Sequence, residues 1–201
     1  MISESDGLVQ PSARERILTA LVELVATRGL EAVSVRQVAA QAGVTGGMVQ
    51  HHFSTKQQMI RAAMAAITEN LAELVAEAQT GLPPGSALRS ICRMLVPLDD
   101  ERMVHARIWL AFLARAAVDD DVATEHRQTW QQLEDIFARL LAAAGNRGRP
   151  LAVDRAGGAL LLATLDGLAT GGVVEPDRLP VKRIDQLLSA QLDLLLDAGA
   201  R

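Results

Sequence analysis

Side chains suited to binding the bases and phosphates of a nucleic acid are concentrated in residues 34–56. Gln50 and His51 are neighbours, and a glutamine amide has the two hydrogen-bonding groups that match the major-groove edge of adenine. Arg36 and Lys56 carry the positive charge that phosphate oxygens bind. The predicted contact residues are Ser34, Arg36, Thr45, Gly46, Gly47, Met48, Gln50, His51, His52 and Lys56.

The sequence around these side chains predicts two short helices joined by a tight turn. Ser34 with Gln37 has the spacing of a capping box that begins a helix, and Gly43 is suited to end it. Thr45 can cap a second helix, in which Val49 faces back toward the first. This arrangement is a helix-turn-helix, whose second helix enters the major groove of DNA.

The same stretch resembles the DNA-binding motif of TetR-type transcriptional repressors. It contains A-G-V-T-G-G and H-H-F, followed by a lysine three residues after the phenylalanine. The resemblance implies binding to double-stranded operator DNA. Gln50 stands where the family often has tyrosine, so a phosphate contact is either replaced by a base contact or lost.

Composition predicts an all-α fold. Of the 201 residues 49% are hydrophobic but only 2% aromatic, and there is no tyrosine, so aliphatic helices must fill the core. The single cysteine, Cys92, cannot form an intrachain disulfide and is expected to be a small buried residue. No signal peptide is apparent, and the longest apolar stretch, 159–165, is too short to span a bilayer. A cytoplasmic protein with no membrane partner is expected.

Charge is distributed unevenly along the chain. Through Lys56 there are 5 basic and 5 acidic residues, whereas the remainder has 15 basic and 19 acidic residues. The predicted DNA-binding segment is therefore neutral. A protein that coats nucleic acid without sequence preference would be more basic.

Capping residues and apolar periodicity predict about nine helices in three regions. Residues 1–11 form a flexible leader, 12–56 the helix-turn-helix domain, and 57–201 a helical domain, with a fourth helix from 55 to about 81 joining the two. Capping boxes are predicted at Ser12 with Glu15 and at Ser54 with Gln57. The later helices are expected at about 86–96, 99–117, 119–144, 152–170 and 181–198.

The second half resembles the C-terminal domain of BetI-type repressors within the same family. The matching segments are P-L-D-D-E-R, R-I-W-L-A-F-L-A-R-A-A and L-L-A-T-L-D-G-L-A, with an aspartate cluster between the last two. The resemblance implies a homodimer formed through the last two helices and a pocket for a small-molecule inducer. That subgroup includes regulators of choline metabolism. Quaternary ammonium groups favour aromatic cages, and a chain without tyrosine is poorly equipped to build one.

The predicted pocket holds two tryptophans and a few polar groups among aliphatic residues, which favours an apolar or anionic organic ligand. Its predicted lining is Arg102, His105, Trp109, Phe112, Trp130 and Asp166. Trp109 and Phe112 lie three apart on one helix, and residues at that spacing are more often plain core than pocket wall. Asp166 lies in an apolar helix, and an interhelical or intersubunit bond is the more common use of such a residue.

Leucine-rich faces on the last two helices predict the dimer interface, as a four-helix bundle. The leucines expected to meet their symmetry mates are Leu160, Leu161, Leu162, Leu165 and Leu168 on one helix, with Leu187, Leu188, Leu192 and Leu195 on the other.

Enzyme motifs are missing from the sequence. There is no glycine-rich phosphate loop after a strand, no nucleophile triad and no metal-ligand spacing, so neither catalysis nor a cofactor is predicted. Two functions remain. One is a ligand-responsive transcriptional regulator, most simply a repressor. The other is a small-molecule-binding protein of the same fold that has lost DNA binding, an alternative raised by Gly46, Gly47, the missing tyrosine at Gln50 and the neutral charge.

Overall fold

The computed structural model describes residues 11–29 and 33–199, and every regular element within these ranges is a helix. The all-α prediction is confirmed. The predicted leader lies outside the described residues except for Pro11. The helices are α1 (Ala13–Arg28), α2 (Val35–Ala42), α3 (Gly46–His52), α4 (Lys56–Gly81), α5 (Pro84–Met94), α6 (Asp100–Ala116), α7 (Asp120–Ala144), α8 (Ala152–Val174) and α9 (Val181–Gly199).

The chain divides into two compact units, Met1–Ala63 and Met64–Arg201. We call them the head and the body. Helix α4 begins in the head and continues into the body without interruption.

In the head, α1 packs against both short helices that follow it. Ile17 and Leu21 of α1, Val38 of α2, Val49 of α3 and Met59 of α4 are completely buried. These buried side chains come from four helices, and α1, α2 and α3 contact one another, so their burial holds α2 and α3 in place. The predicted capping box at Ser12 and Glu15 is present.

The cap of α4 lies one residue later than predicted. The hydroxyl of Thr55, not that of Ser54, accepts the hydrogen bond from the backbone N–H of Gln58. Gln58 in turn accepts from the N–H of Ser54. The prediction of a box at Ser54 and Gln57 is therefore wrong, because the pairs Ser54–Gln57 and Thr55–Gln58 have the same spacing, which does not distinguish them.

In the body, α8 lies at the centre and contacts α6, α7 and α9. Glycine lets it approach α7 closely, because a Cβ on Gly158 would lie 2.9 Å from the carbonyl oxygen of Glu134. Cys92 is completely buried in this core, as predicted, and burial raises the pKa of its thiol. The thiol is thus held in its unreactive protonated form.

Two helices extend beyond their predicted bounds. Helix α5 begins at Pro84, because proline is well suited to the first turn, where its missing N–H costs no hydrogen bond. Helix α8 continues past Thr170 to Val174, since Gly171 and Gly172 pack closely against Leu179 and Ile184 instead of ending the helix.

Most of the leucines predicted to form a dimer interface are used inside the chain itself. The buried ones belong to the body core, and they are Leu161, Leu162, Leu165, Leu168, Leu188 and Leu192. Leu160 and Leu187, by contrast, are 62% and 42% exposed. The predicted interface is thus wrong for the buried leucines.

The polar side of α9 faces α5. Asp193 pairs with Arg89 at 2.6 Å, and Asp185 pairs with Arg93. Among helices in the described ranges, α8 alone has the length and apolar composition to cross a membrane, and half of its most apolar window is buried inside the chain. Such burial is expected of a central core helix.

Candidate nucleic-acid interface and ligand site

The turn between α2 and α3 has the geometry that the sequence predicts. Gly43 adopts the left-handed conformation with φ 63° and ψ 37°, which ends α2. The Thr45 hydroxyl accepts a hydrogen bond from the N–H of Met48 at 3.2 Å and so begins α3. Completely buried Val49 anchors α3 to the head. The orientation of α3 is therefore fixed from both its cap and its inner face.

The other side of α3 is open to solvent. Gly47, Met48, Gln50, His51 and His52 are all exposed. A short helix held at one face, with hydrogen-bonding side chains on the other, is the arrangement that reads base edges in a major groove.

The other residues predicted to bind DNA phosphates lie just before and just after α3 in the sequence. Ser34 is exposed and caps α2 by accepting from the N–H of Gln37 at 3.3 Å. Arg36 and Thr45 are exposed, and Lys56 is half-buried in the first turn of α4. The structure thus brings all ten predicted residues into the head, on α2, α3 and the start of α4.

His52 differs from His51 in its surroundings. Its ring lies 6.3 Å from the ring of buried Phe53, and the guanidinium of Arg14 lies 5.8 Å from that same phenylalanine ring. The His51 ring contacts His52 edge-on at 5.4 Å. These contacts support packing as one role of His52 and leave His51 as the outer member of the pair.

Neither Gly46 nor Gly47 is required by the fold. An added Cβ would meet its nearest neighbours at 3.8 Å and 3.9 Å respectively, which is ordinary van der Waals contact. Glycine nevertheless disfavours a helix relative to alanine by about 0.5–1 kcal/mol per residue. The two glycines therefore lower the stability of α3 without improving the packing of the head.

A second constellation lies in the body, where α6, α7 and α8 contact one another. Trp109 of α6 and Trp130 of α7 stack with ring centroids 4.1 Å apart and planes 9° from parallel. The ring of His126 lies 5.1 Å from Trp109 and 4.6 Å from Trp130. The indole N–H of Trp130 donates a 2.9 Å hydrogen bond to Asp166 on α8. We call Trp109, His126, Trp130 and Asp166 the indole cluster.

Some polar atoms of the indole cluster have hydrogen-bond partners and others have none among the described residues. Trp109 Nε1 and His126 Nδ1 are buried and have no hydrogen-bond partner among the described residues. Burial lowers the pKa of His126, with a smaller contribution from the charge of Arg127, so its imidazole is held neutral. Burial also raises the pKa of Asp166, against the opposing effect of the Trp130 hydrogen bond.

The sequence predicted part of this cluster. Trp109, Trp130 and Asp166 come together, and Phe112 packs beside them with its ring 5.8 Å from Trp109. Asp166 accepts this hydrogen bond from a different helix, which is the interhelical use that the sequence favoured for it. His126 was missed, although it lies one helical turn before Trp130 and so on the same face of α7.

Two of the predicted polar contributors are arranged differently. Arg102 forms an ion pair with Asp99, the residue that caps its own helix. His105 is half-buried on α6, one turn before Trp109. Arg115, near the end of the same helix, pairs with Asp119 at 2.6 Å. The arginines of α6 at 102 and 115 are thus committed to carboxylates of the chain.

A helix-turn-helix head joined to a helical body with a polar aromatic cluster defines a class, the DNA-binding transcriptional regulators. Residues 17–63 match the model of bacterial regulatory proteins of the tetR family. Residues 84–197 match the C-terminal model of BetI-type transcriptional repressors. The chain belongs to the TetR family and carries a BetI-type C-terminal domain.

Individual proteins agree with this assignment. The regulator BetI of Stenotrophomonas maltophilia is 29% identical over 196 residues, covering 96% of this chain and 97% of its own. A crystal structure of a transcriptional regulator from Rhodococcus sp. superposes with a TM-score of 0.83 at 34% identity, covering 94% of this chain and 99% of its own. These relatives are transcriptional regulators and not enzymes.

The fold also recurs at lower identity. A regulator from Saccharomonospora viridis, solved in complex with choline, superposes with a TM-score of 0.80 at 18% identity, covering 90% of this chain and 95% of its own.

Proposed function

We propose that this regulator represses transcription by binding a palindromic operator as a homodimer, and that a small molecule bound in the body releases it. The observation that carries the proposal is the exposed polar face of α3, held in place by buried Val49 and the Thr45 cap. Because bacterial operator DNA lies in the cytoplasm, we expect the regulator to act there.

An exposed apolar strip on α8 and α9 supports the homodimer. On α8, Val153, Leu160, Gly167 and Val174 recur every seven residues, and each is exposed. On α9, Leu187 and Leu194 have the same spacing and are also exposed. A seven-residue repeat keeps these positions on one side of each helix, the pattern of helices that pack against a partner. We call these six residues the seam.

The seam supports a second copy of this chain as its partner. Leu160, Val174 and Leu194 are each more than 60% exposed, although a monomer usually avoids clustering large apolar side chains on one surface. Because a two-fold dimer brings two identical heads to the DNA, its operator must be an inverted repeat. The half-sites are then read about 34–36 Å apart.

Helix α4 supports the link between ligand and DNA, because it is continuous from the head into the body. A ligand that binds more tightly when α4 is tilted moves the heads from their groove spacing and releases the operator. Such coupling is reciprocal, so saturating operator DNA weakens ligand binding by the same factor, typically about 5- to 150-fold. Equal ligand affinity with and without operator excludes this mechanism.

A mobility-shift titration with DNA flanking the coding region tests the central proposal. We expect a shift at nanomolar protein, since specific complexes commonly dissociate in the range of about 10⁻⁸ to 10⁻¹¹ M. The alternative function, a helical small-molecule-binding protein that has lost DNA binding, is suggested by the two glycines in α3. It predicts no shift above that of unrelated DNA while ligand binding in the body persists.

A further inference from the structure

The indole cluster contains a hydrogen-bond donor for which the described residues supply no acceptor. Trp109 Nε1 is buried without a partner, and an indole N–H can donate but never accept. An unpaired buried donor lowers the stability of the fold, so its retention needs an explanation. An acceptor atom supplied by a ligand would satisfy it.

Negative charge is disfavoured at this position. The carboxyl of Asp166 already lies in the cluster, hydrogen-bonded to Trp130, and would repel an anion when ionised. Arg102 and Arg115 are paired with Asp99 and Asp119. The nearest titratable ring, His126, is held neutral by burial. Trp109, His126, Trp130 and Asp166 themselves offer no positive charge to a carboxylate or phosphate ligand, and the charge of Arg127 acts on the cluster only as a smaller effect than burial.

A positive charge is disfavoured for a different reason. Cations bind aromatic side chains over the open face of the ring. Trp109 and Trp130 cover one face of each other at 4.1 Å, and the His126 ring lies within 5.1 Å of both. The chain supplies no tyrosine to build further walls around an ammonium group.

We propose that the indole cluster recognises an uncharged ligand that presents a hydrogen-bond acceptor, such as a carbonyl oxygen, on an apolar or aromatic body. The acceptor takes the N–H of Trp109, and the neutral His126 Nδ1 can complement a second polar atom of the ligand. This inference rests on the proposed function, because it names the class of small molecule that acts on the body.

Binding must also rearrange the cluster. Trp109 Nε1 is buried, so an acceptor reaches it only when neighbouring atoms move. We expect the rings that contact Trp109, those of Trp130 and His126, to be among the groups that move. The ligand therefore selects a second conformation of the contacts between α6 and α7, which is the requirement for an allosteric effect.

Four probes with one phenyl body separate the possible ligand classes. They are acetophenone with a neutral acceptor, ethylbenzene with no polar atom, benzoate with a negative charge, and phenyltrimethylammonium with a positive charge. Calorimetric titration of the full chain should give the highest affinity for acetophenone. We expect a preference of about tenfold over ethylbenzene, the value of one net hydrogen bond.

The substitution Trp109→Phe keeps an aromatic ring and removes the N–H. In this variant the ratio of acetophenone to ethylbenzene affinity should fall to about one. Trp130→Phe is the matched control, because its N–H is already paired with Asp166, and it should keep the preference for acetophenone. Circular dichroism melting of both variants verifies that they are folded.

Three results overturn the inference. They are tighter binding of either charged probe, an unchanged ratio in folded Trp109→Phe, and no binding of acetophenone at millimolar concentration. Mobility shifts with the same protein separate this inference from the proposed function. A protein that binds DNA without the acceptor preference overturns the ligand class alone, whereas the acceptor preference without DNA binding overturns repression alone.

Discussion

Arg147 and Asp154 form an ion pair between the loop after α7 and the first turn of α8. The guanidinium contacts the carboxylate twice, with Nε 3.2 Å from Oδ2 and Nη2 2.5 Å from Oδ1. The carboxylate also accepts from the N–H of Leu151 at 2.8 Å, so it caps the central helix of the body. Asp154 is only 3% exposed.

This pair makes the stability of the body depend on pH. Burial tends to raise the pKa of Asp154, but the hydrogen bonds from Arg147 and Leu151, with the charge of Arg147, outweigh it and lower the pKa. A carboxyl whose pKa is lower in the folded state stabilises the fold above its unfolded pKa of about 3.9. That contribution is lost as pH falls through the folded pKa.

The substitution Asp154→Asn should therefore destabilise the protein at neutral pH by about 3 kcal/mol, the cost of breaking a buried pair. The difference from wild type should begin to shrink below about pH 3.9, where the carboxyl of the unfolded chain becomes protonated, and should vanish below the lower pKa of the folded state. Denaturant unfolding measured from pH 7 to pH 3 tests this. Asp135→Asn is the control, because its 3.6 Å pair with Arg155 is about 60% exposed and should contribute less than about 1 kcal/mol. An equal loss in both variants contradicts the prediction.

Gly47 should favour DNA binding at the expense of stability. Gly47→Ala adds a methyl group that no described atom of the head obstructs, so the unfolding free energy should rise, by up to about 1 kcal/mol. The same methyl group should prevent close approach of α3 to the DNA and weaken operator binding. Thermal melting and a mobility shift on one sample measure both effects. Gly81→Ala, also unobstructed, should leave DNA affinity unchanged. A stabilised Gly47→Ala that binds DNA as well as wild type would refute the role of this glycine.

Lys56 should act on all DNA sequences alike. Removing one phosphate contact by Lys56→Ala should weaken binding uniformly and reduce the slope of log affinity against log salt by about 0.9. The chain has one other lysine, exposed Lys182 of α9, and Lys182→Ala should leave the slope unchanged. An unaltered slope in Lys56→Ala removes this residue from the set of phosphate contacts.

Gln50 should instead act on sequence preference. Gln50→Ala is expected to relax selection at one base pair in each half-site, with a preference for adenine in the wild type. Selection from a random duplex library compares the two proteins directly. If Gln50→Ala lowers affinity for every sequence equally, Gln50 positions the protein and reads no base.

The seam should control assembly independently of folding. Leu160→Glu together with Leu194→Glu places charges on exposed seam positions, so a folded monomer is expected because the core is untouched. Leu192→Glu places a charge on a side chain that is 2% exposed and should prevent stable folding. Sedimentation and circular dichroism distinguish the two outcomes. A wild-type monomer at micromolar concentration would contradict the homodimer.

The parts of the fold that sequence predicted are those set by short-range interactions. Ser12, Ser34 and Thr45 cap their helices because each needs only a backbone N–H three residues ahead. The left-handed Gly43 is likewise a local requirement. The spacing of these residues in the sequence was therefore sufficient to predict the helix-turn-helix.

The missed features depend on contacts between helices. Leucine periodicity shows that α9 has an apolar side but not how far round the helix that side extends, so buried Leu188 could not be distinguished from exposed Leu187. The position of His126 against Trp109 depends on the packing of α6 on α7. No spacing within one helix contains that information.

The stack of Trp109 on Trp130 makes the protein a natural optical reporter. These are the only two tryptophans, and there is no tyrosine, so all useful ultraviolet emission arises from one point in the body. The head contributes no fluorophore to this signal. A change of emission when DNA is added therefore records a change of environment at the stacked tryptophans, in the unit that does not hold the helix-turn-helix.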